Sequence, residues 1–148
     1  SEKDVIDIYQ CRKALDSLAA ELASKRITDQ QLDVLYQAIK QTEKAHKEKD
    51  SDKVIRYNTI FHEGVVSASG NETLIALLES LRNRILFMRR MRNTFITHQY
   101  NYEHFLTEHK QILEAIANRQ PALAKQRMEN HINSDIEAFK LIMSKQKD

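Results

Sequence analysis

Residues 55–66 read IRYNTIFHEGVV, and two kinds of residue share one helix face there. Ile55, Phe61, Val65 and Val66 recur at the spacing of an amphipathic helix. Asn58 and His62 stand four residues apart, in the middle of that face. An amide and an imidazole therefore occupy positions that should meet a core, and buried polar groups need partners. The stretch decides for a helix and asks what its two polar residues are for.

Outward from it, the whole chain reads as helical. Its 148 residues contain two Gly and one Pro, so helix breakers are scarce. That length is enough for one domain with a core. Ala, Leu, Lys, Glu, Gln and Arg, all good helix formers, dominate. No apolar run approaches the ~18 residues of a membrane span, and no signal peptide is visible. The single Cys11 excludes an internal disulfide framework and fits a reducing cytoplasm. A net charge of +2 is too small to argue for nucleic acid. Because the helical pattern starts within a few residues of Ser1, the chain reads as an excised domain.

Start and stop signals predict six helices. The first covers 4–25, with Val5, Ile8, Leu15, Leu18, Ala19 and Leu22 on one face. Thr28 and Gln31 form a capping box for the second, which reaches about 47. The third covers 52–69; Gly70 supplies its left-handed stop and Asn71 the next N-cap. The fourth carries Leu74, Leu77, Leu78, Leu81, Ile85 and Met88. Residues 93–101 read as a loop. The fifth centres on Phe105, Leu106, Ile112, Leu113 and Ile116, and the sixth starts at Pro121 and reaches about 144. The expected fold is all-α, an antiparallel bundle of six helices with a metal site inside it.

The metal expectation rests on histidines. His62, His109 and His131 each fall within the apolar arc of a different helix, and Asp135 lies four residues after His131 on the same side. An inward arc covers roughly a third of a helix, so three given histidines point inward together by chance roughly once in thirty. A metal ion satisfies several buried imidazoles at once, and imidazole suits zinc, nickel, copper and iron alike. His46 lies near a helix end, where partial exposure is the simpler account, His104 should be solvated, and His98 falls in the loop. Arg12 also lies within an apolar arc; with its head buried it needs a carboxylate, from the protein or from a ligand. RNRILFMRRMR, at 82–92, has five arginines and no aromatic platform, so it reads as a solvated face with one or two arginines turned inward.

With these residues in hand, a family comes into view. YNTIFHEGVVSASGNETL and EHKQILEAIANRQPALAKQRMENHI resemble the ligand-binding FCD domain of GntR-family bacterial transcription regulators, and CRKALDSLAAELASKRIT is similar to its first helix. The resemblance implies a metal set of Asn58, His62, His109 and His131, with Asn58 where the family usually has Asp. It implies a divalent transition metal, zinc first, with nickel or another ion also compatible. It further implies a small carboxylate effector, a homodimer, and DNA contact only through a winged-helix domain that is absent from residues 1–148. Arg12 matches the family's first-helix arginine, with Asp16 in place of the usual Glu. Arg12, Arg84 and Asp135 are the residues expected to meet the effector. A count of six helices resembles the VanR-type subgroup. Two other readings stay open: a metal-dependent hydrolase, with Asp135 or Glu108 as the base, and a metal-free interaction bundle.

Overall fold

The computed structural model describes residues 1–99 and 102–147, with the backbone alone for 95–99. Among these residues it is all-helical. The elements are α1 (Glu2–Arg26), α2 (Asp29–Lys47), α3 (Ser51–Ala68), α4 (Glu72–Ser80), α5 (Arg82–Gln99), α6 (Tyr102–Ala117) and α7 (Pro121–Lys145). Among the described residues no helix is long and apolar enough to cross a membrane.

The local signals act as their chemistry requires. Gln31 N–H donates to Thr28 Oγ1 at 3.2 Å, and Thr28 N–H donates back to Gln31 Oε1 at 3.0 Å. Asp50 caps α3 through Lys53 N–H, and Asn71 caps α4 through Leu74 N–H. Gly70 adopts φ 62°, the left-handed stop that glycine takes most easily. Pro121 opens α7, where its missing N–H costs nothing.

The helix count among the described residues is seven rather than six. The fourth expected helix divides at Leu81, whose N–H bonds back to Leu78 O, a three-residue step that tightens the turn. Ile85 N–H already bonds to Leu81 O, so α5 begins at once. Neither Gly nor Pro marks this break, which is why the apolar spacing ran straight through it. The expected loop is corrected too: α5 continues to Gln99, and the side chain of His98 lies outside the described residues. The helix count therefore gives no support to the VanR-type subgroup.

Packing sets α1 at the centre. It lies most extensively along α7 and also touches α3, α4 and α6, while α2 pairs with α3 across a short turn and α6 lies against α7. The expected α1 face shifts accordingly. Ala19, Ala20, Ala23 and Ser24 are buried, Leu22 is half-buried and Leu18 is exposed. Small residues let α7 approach closely, and the bulky leucines move to the edge of the contact. Tyr9 joins the core, its ring 6.1 Å from that of Phe139.

Two arginines tie loops at α1's C-terminal end. Arg26 donates to Ser69 O at 2.8 Å, and Arg119 donates to Ile27 O at 2.8 Å. Each satisfies a carbonyl just past a helix end.

The α2–α3 contact also explains Gly64. A Cβ there would sit 2.7 Å from Leu35 Cδ2, and Leu35 is fully buried. Ala is better than Gly in a helix by about 1 kcal/mol. Overpacking a core costs about 1–3 kcal/mol. We expect Gly64→Ala to lower stability by about 1 kcal/mol net, read as a lower urea midpoint with an unchanged slope.

Candidate functional site: a buried histidine cluster beside an arginine-lined cavity

Three helices bring one imidazole each to a single point. His62 comes from α3, His109 from α6 and His131 from α7. All three are buried. His109 Nε2 lies 3.0 Å from His131 Nε2, which lies 3.3 Å from His62 Nε2. Two nitrogens bound to one zinc at about 2.05 Å with a tetrahedral angle would stand about 3.3 Å apart, and octahedral neighbours about 2.9 Å. The spacing thus fits a shared ion of either geometry.

The hydrogen bonds around the cluster favour lone pairs pointing inward. His131 Nδ1 faces Glu108 Oε1 at 2.9 Å, and Ser134 Oγ–H donates to Glu108 Oε2 at 2.6 Å. Donation of the Nδ1 proton to Glu108 leaves His131 Nε2 as a lone pair. A carboxylate behind a histidine orients it and makes it a stronger ligand. That one lone pair faces two neighbouring nitrogens and cannot serve both as an ordinary hydrogen-bond acceptor, whereas an ion serves all three imidazoles. Buried His62 Nδ1 has no partner among the described residues. Burial, followed by the nearby arginines and histidines, holds the pKa of His62 and of His109 well below 6.5, so both rings stay neutral and ligand-competent. Asn58 is buried one turn before His62 on α3.

Beside the histidines lies a charged layer. Arg12 Nε donates to Asp16 Oδ2 at 3.1 Å, and Arg12 Nη1 stands 3.8 Å from Asp135 Oδ2. Arg92 Nη1 also bonds to Asp135 and stacks its guanidinium 4.8 Å over the Phe105 ring. Burial raises the pKa of Asp135, but Arg92, His131 and Arg12 outweigh it and hold the carboxyl below its ordinary value. Arg12 and Arg89 together with His62 line a cavity of about 140 Å³.

The expected effector residues divide. Arg12 reaches the cavity, and its need for a carboxylate is met in part by Asp16, one turn along its own helix. Asp135 does not line the cavity; it holds Arg12 and Arg92 in place. Arg84 is exposed in an outer groove with Val5, Ile8 and Phe87, away from the histidines. Helical phase explains this. At 100° per residue, Arg89 and Arg92 fall within about 40° of buried Ile85, and Arg84 falls about 100° away. The residues missed by sequence reasoning are Arg89 and Arg92, and a phase count along α5 would have found them. His104 is exposed, and half-buried His46 stacks on Tyr102.

Fold and site together define an all-helical type of domain, with a cluster of three histidines that could hold a metal ion next to a small cavity of charged and apolar walls. The chain belongs to the FCD domain family, whose pattern matches residues 7–134. It is similar to the uncharacterized HTH-type transcriptional regulator YdhC of Bacillus subtilis (strain 168), at 34% identity over 147 residues, covering 99% of this chain and 64% of that protein. It is also similar to the Nta operon transcriptional regulator of Aminobacter aminovorans, at 31% identity over 85 residues, 57% of this chain and 40% of that one. Among solved structures, Streptococcus agalactiae GntR superposes with a TM-score of 0.76 at 25% identity, covering 93% of this chain and 60% of that one. E. coli McbR/YncC shares the fold, with a TM-score of 0.80 at 17% identity over 95% of this chain and 70% of that one. The chain therefore spans less than two thirds of the length of either curated relative.

Neutral burial of two imidazoles sets the acid stability of the metal-free protein. His62 and His109 bind protons near 6.5 when unfolded and far lower when folded. Below about 6.5 the unfolded state takes up more protons, so unfolding becomes easier as pH falls. Asp135 adds a second loss below its unfolded value of 3.8. We expect the urea midpoint of chelated protein to be flat above about pH 7 and to decline steadily as the pH falls below about 6.5.

Proposed function

We propose that the chain is the effector-sensing domain of a GntR-type transcription regulator, which binds a divalent transition metal and a small organic acid side by side. The observation that carries this reading is the convergence of one ring nitrogen each from His62, His109 and His131, all within 4.8 Å of one another, next to the cavity that Arg12 enters. The three histidines would hold the ion, and Asn58 is the fourth candidate. A bound ion would supply a Lewis-acid position for one carboxylate oxygen. The chain's own residues supply the rest: Glu108 orients His131, Asp16 and Asp135 orient Arg12, and the burial of all of them excludes water. Zinc is the first choice of ion, and nickel fits the same donors.

The hydrolase reading loses ground, because the relatives are transcription regulators. In the metal-free bundle reading the three rings would lack a shared partner. DNA contact belongs to a winged-helix domain outside this chain. Control of DNA follows if an acid ties α1, α3 and α5 together around the cavity and that movement reaches such a head. A homodimer suits this role, since operators are two-fold. Phe87, 61% exposed on α5, marks a candidate contact.

Incubation with zinc followed by desalting should leave about one ion per chain by elemental analysis. His109→Ala should lower both metal content and melting temperature; zero metal in the wild type with an unchanged variant would end the reading. Asn58→Asp should tighten the ion by adding a charge, and weaker binding would exclude residue 58 from the ligand set. Light scattering should give about twice the 17.3 kDa chain mass; 17.3 kDa at tens of micromolar would remove the dimer from this domain.

A further inference from the structure

Three guanidinium groups are buried around the charged layer, and two carboxylates, Asp16 and Asp135, face them. Asp16 pairs with Arg12, and Asp135 lies within ion-pair distance of both Arg12 and Arg92. Arg89 is the remainder. It is 9% exposed, it lines the cavity, and its one hydrogen bond among the described residues goes to the Thr59 hydroxyl at 3.1 Å. No carboxylate lies within ion-pair distance of it among those residues. Burial and the neighbouring Arg12 charge push its pKa down, to about 9, against the partial support of the more distant Asp16 and Asp135, which leaves it a cation at neutral pH. A buried cation without an anion is costly. The partly unsatisfied Arg12, whose Nη2 has no hydrogen-bond partner among the described residues, also lines this cavity.

The cavity walls say what else the anion carries. Val66, Ile75, Leu78 and Ile85 give an apolar surface beyond the two arginines. The exposed residues Glu63, Glu79 and Arg82 mark the open side. Arg82 is already paired with Glu63 at 2.8 Å, so the rim presents an excess of one negative charge. A second carboxylate reaching the rim would meet repulsion. At about 140 Å³ the space falls well below the ~300–1,000 Å³ of sites that hold drug-sized ligands.

We infer that Arg89 is the charge anchor for the effector, and that the effector is a small monocarboxylate with a short apolar end lying against Val66, Ile75, Leu78 and Ile85. This rests on the sensing role proposed above and assigns its specificity. Arg12, held by Asp16 and Asp135, adds its charge to the same carboxylate, and Arg89 supplies a cation with no carboxylate within ion-pair distance among the described residues.

Calorimetric titration of the zinc-loaded chain with butyrate, succinate and butyramide tests this. These probes share four carbons and differ in charge. Butyrate should bind, succinate at least several-fold more weakly, and butyramide not measurably. Arg89→Met should weaken butyrate at least about tenfold. Its zinc content should be unchanged and its ligand-free melting temperature not lower, because a lone buried cation has been removed; a merely structural Arg89 would instead lower that temperature. If the wild type binds none of the three probes, the sensing role fails and takes the inference with it. If the wild type binds butyrate and Arg89→Met binds it equally, the anchor assignment alone is wrong. Succinate binding as tightly as butyrate would overturn the monocarboxylate class.

Discussion

The structure depends on one constraint: three buried imidazoles must meet inside a helical domain, with His131 Nε2 3.0 Å from His109 Nε2 and 3.3 Å from His62 Nε2. His62, His109 and His131 come from α3, α6 and α7, so their meeting fixes three helices at once. Sequence-distant helices could slide along one another at small cost in apolar area. They cannot do so here without pulling a nitrogen off the shared point. Glu108 and Ser134 extend this lock by holding the far side of His131.

The charged layer is built on the same logic. Asp135 sits one turn after His131, within reach of both Arg12 on α1 and Arg92 on α5. A single carboxylate therefore links the central helix to the histidine helix and to the helix that bears Arg89. Removing either partner from such a buried pair is expensive, because the remaining charge has nowhere to go. Occupation of the cavity by an anion would thus be felt on α1, α3 and α5 together, whose residues Arg12, His62 and Arg89 line it. That is the physical content of a sensor: a small ligand changes the charge balance at a point where several rigid elements meet.

Much of this was legible in the sequence, and the failures have particular causes. The histidines could be placed because each interrupts an otherwise apolar 3.6-residue period. The caps at Thr28 and Asn71, the opening residue Pro121 and the stop at Gly70 are short-range signals that read the same in any context. The break at Leu81 was invisible because it is a backbone adjustment with no residue type to announce it. The extension of α5 to Gln99 was missed because Arg89, Arg90 and Arg92 blur the apolar stripe, and polar residues in a helix pattern read as loop. The same blur hid Arg89 and Arg92 and made Arg84 look equivalent to them. On α1 the buried face is made of Ala and Ser rather than of the leucines, because close approach to α7 rewards small side chains and hydrophobicity alone does not report closeness.

The central claim is that these histidines share an ion, and X-ray absorption of the zinc-loaded protein at the metal edge tests it most directly. The account predicts a first shell of nitrogen and oxygen at about 2.0–2.1 Å with the multiple-scattering pattern of three imidazoles, and loss of one imidazole contribution in His131→Ala. A shell containing sulfur at about 2.3 Å, or one of oxygen without imidazole scattering, would contradict it.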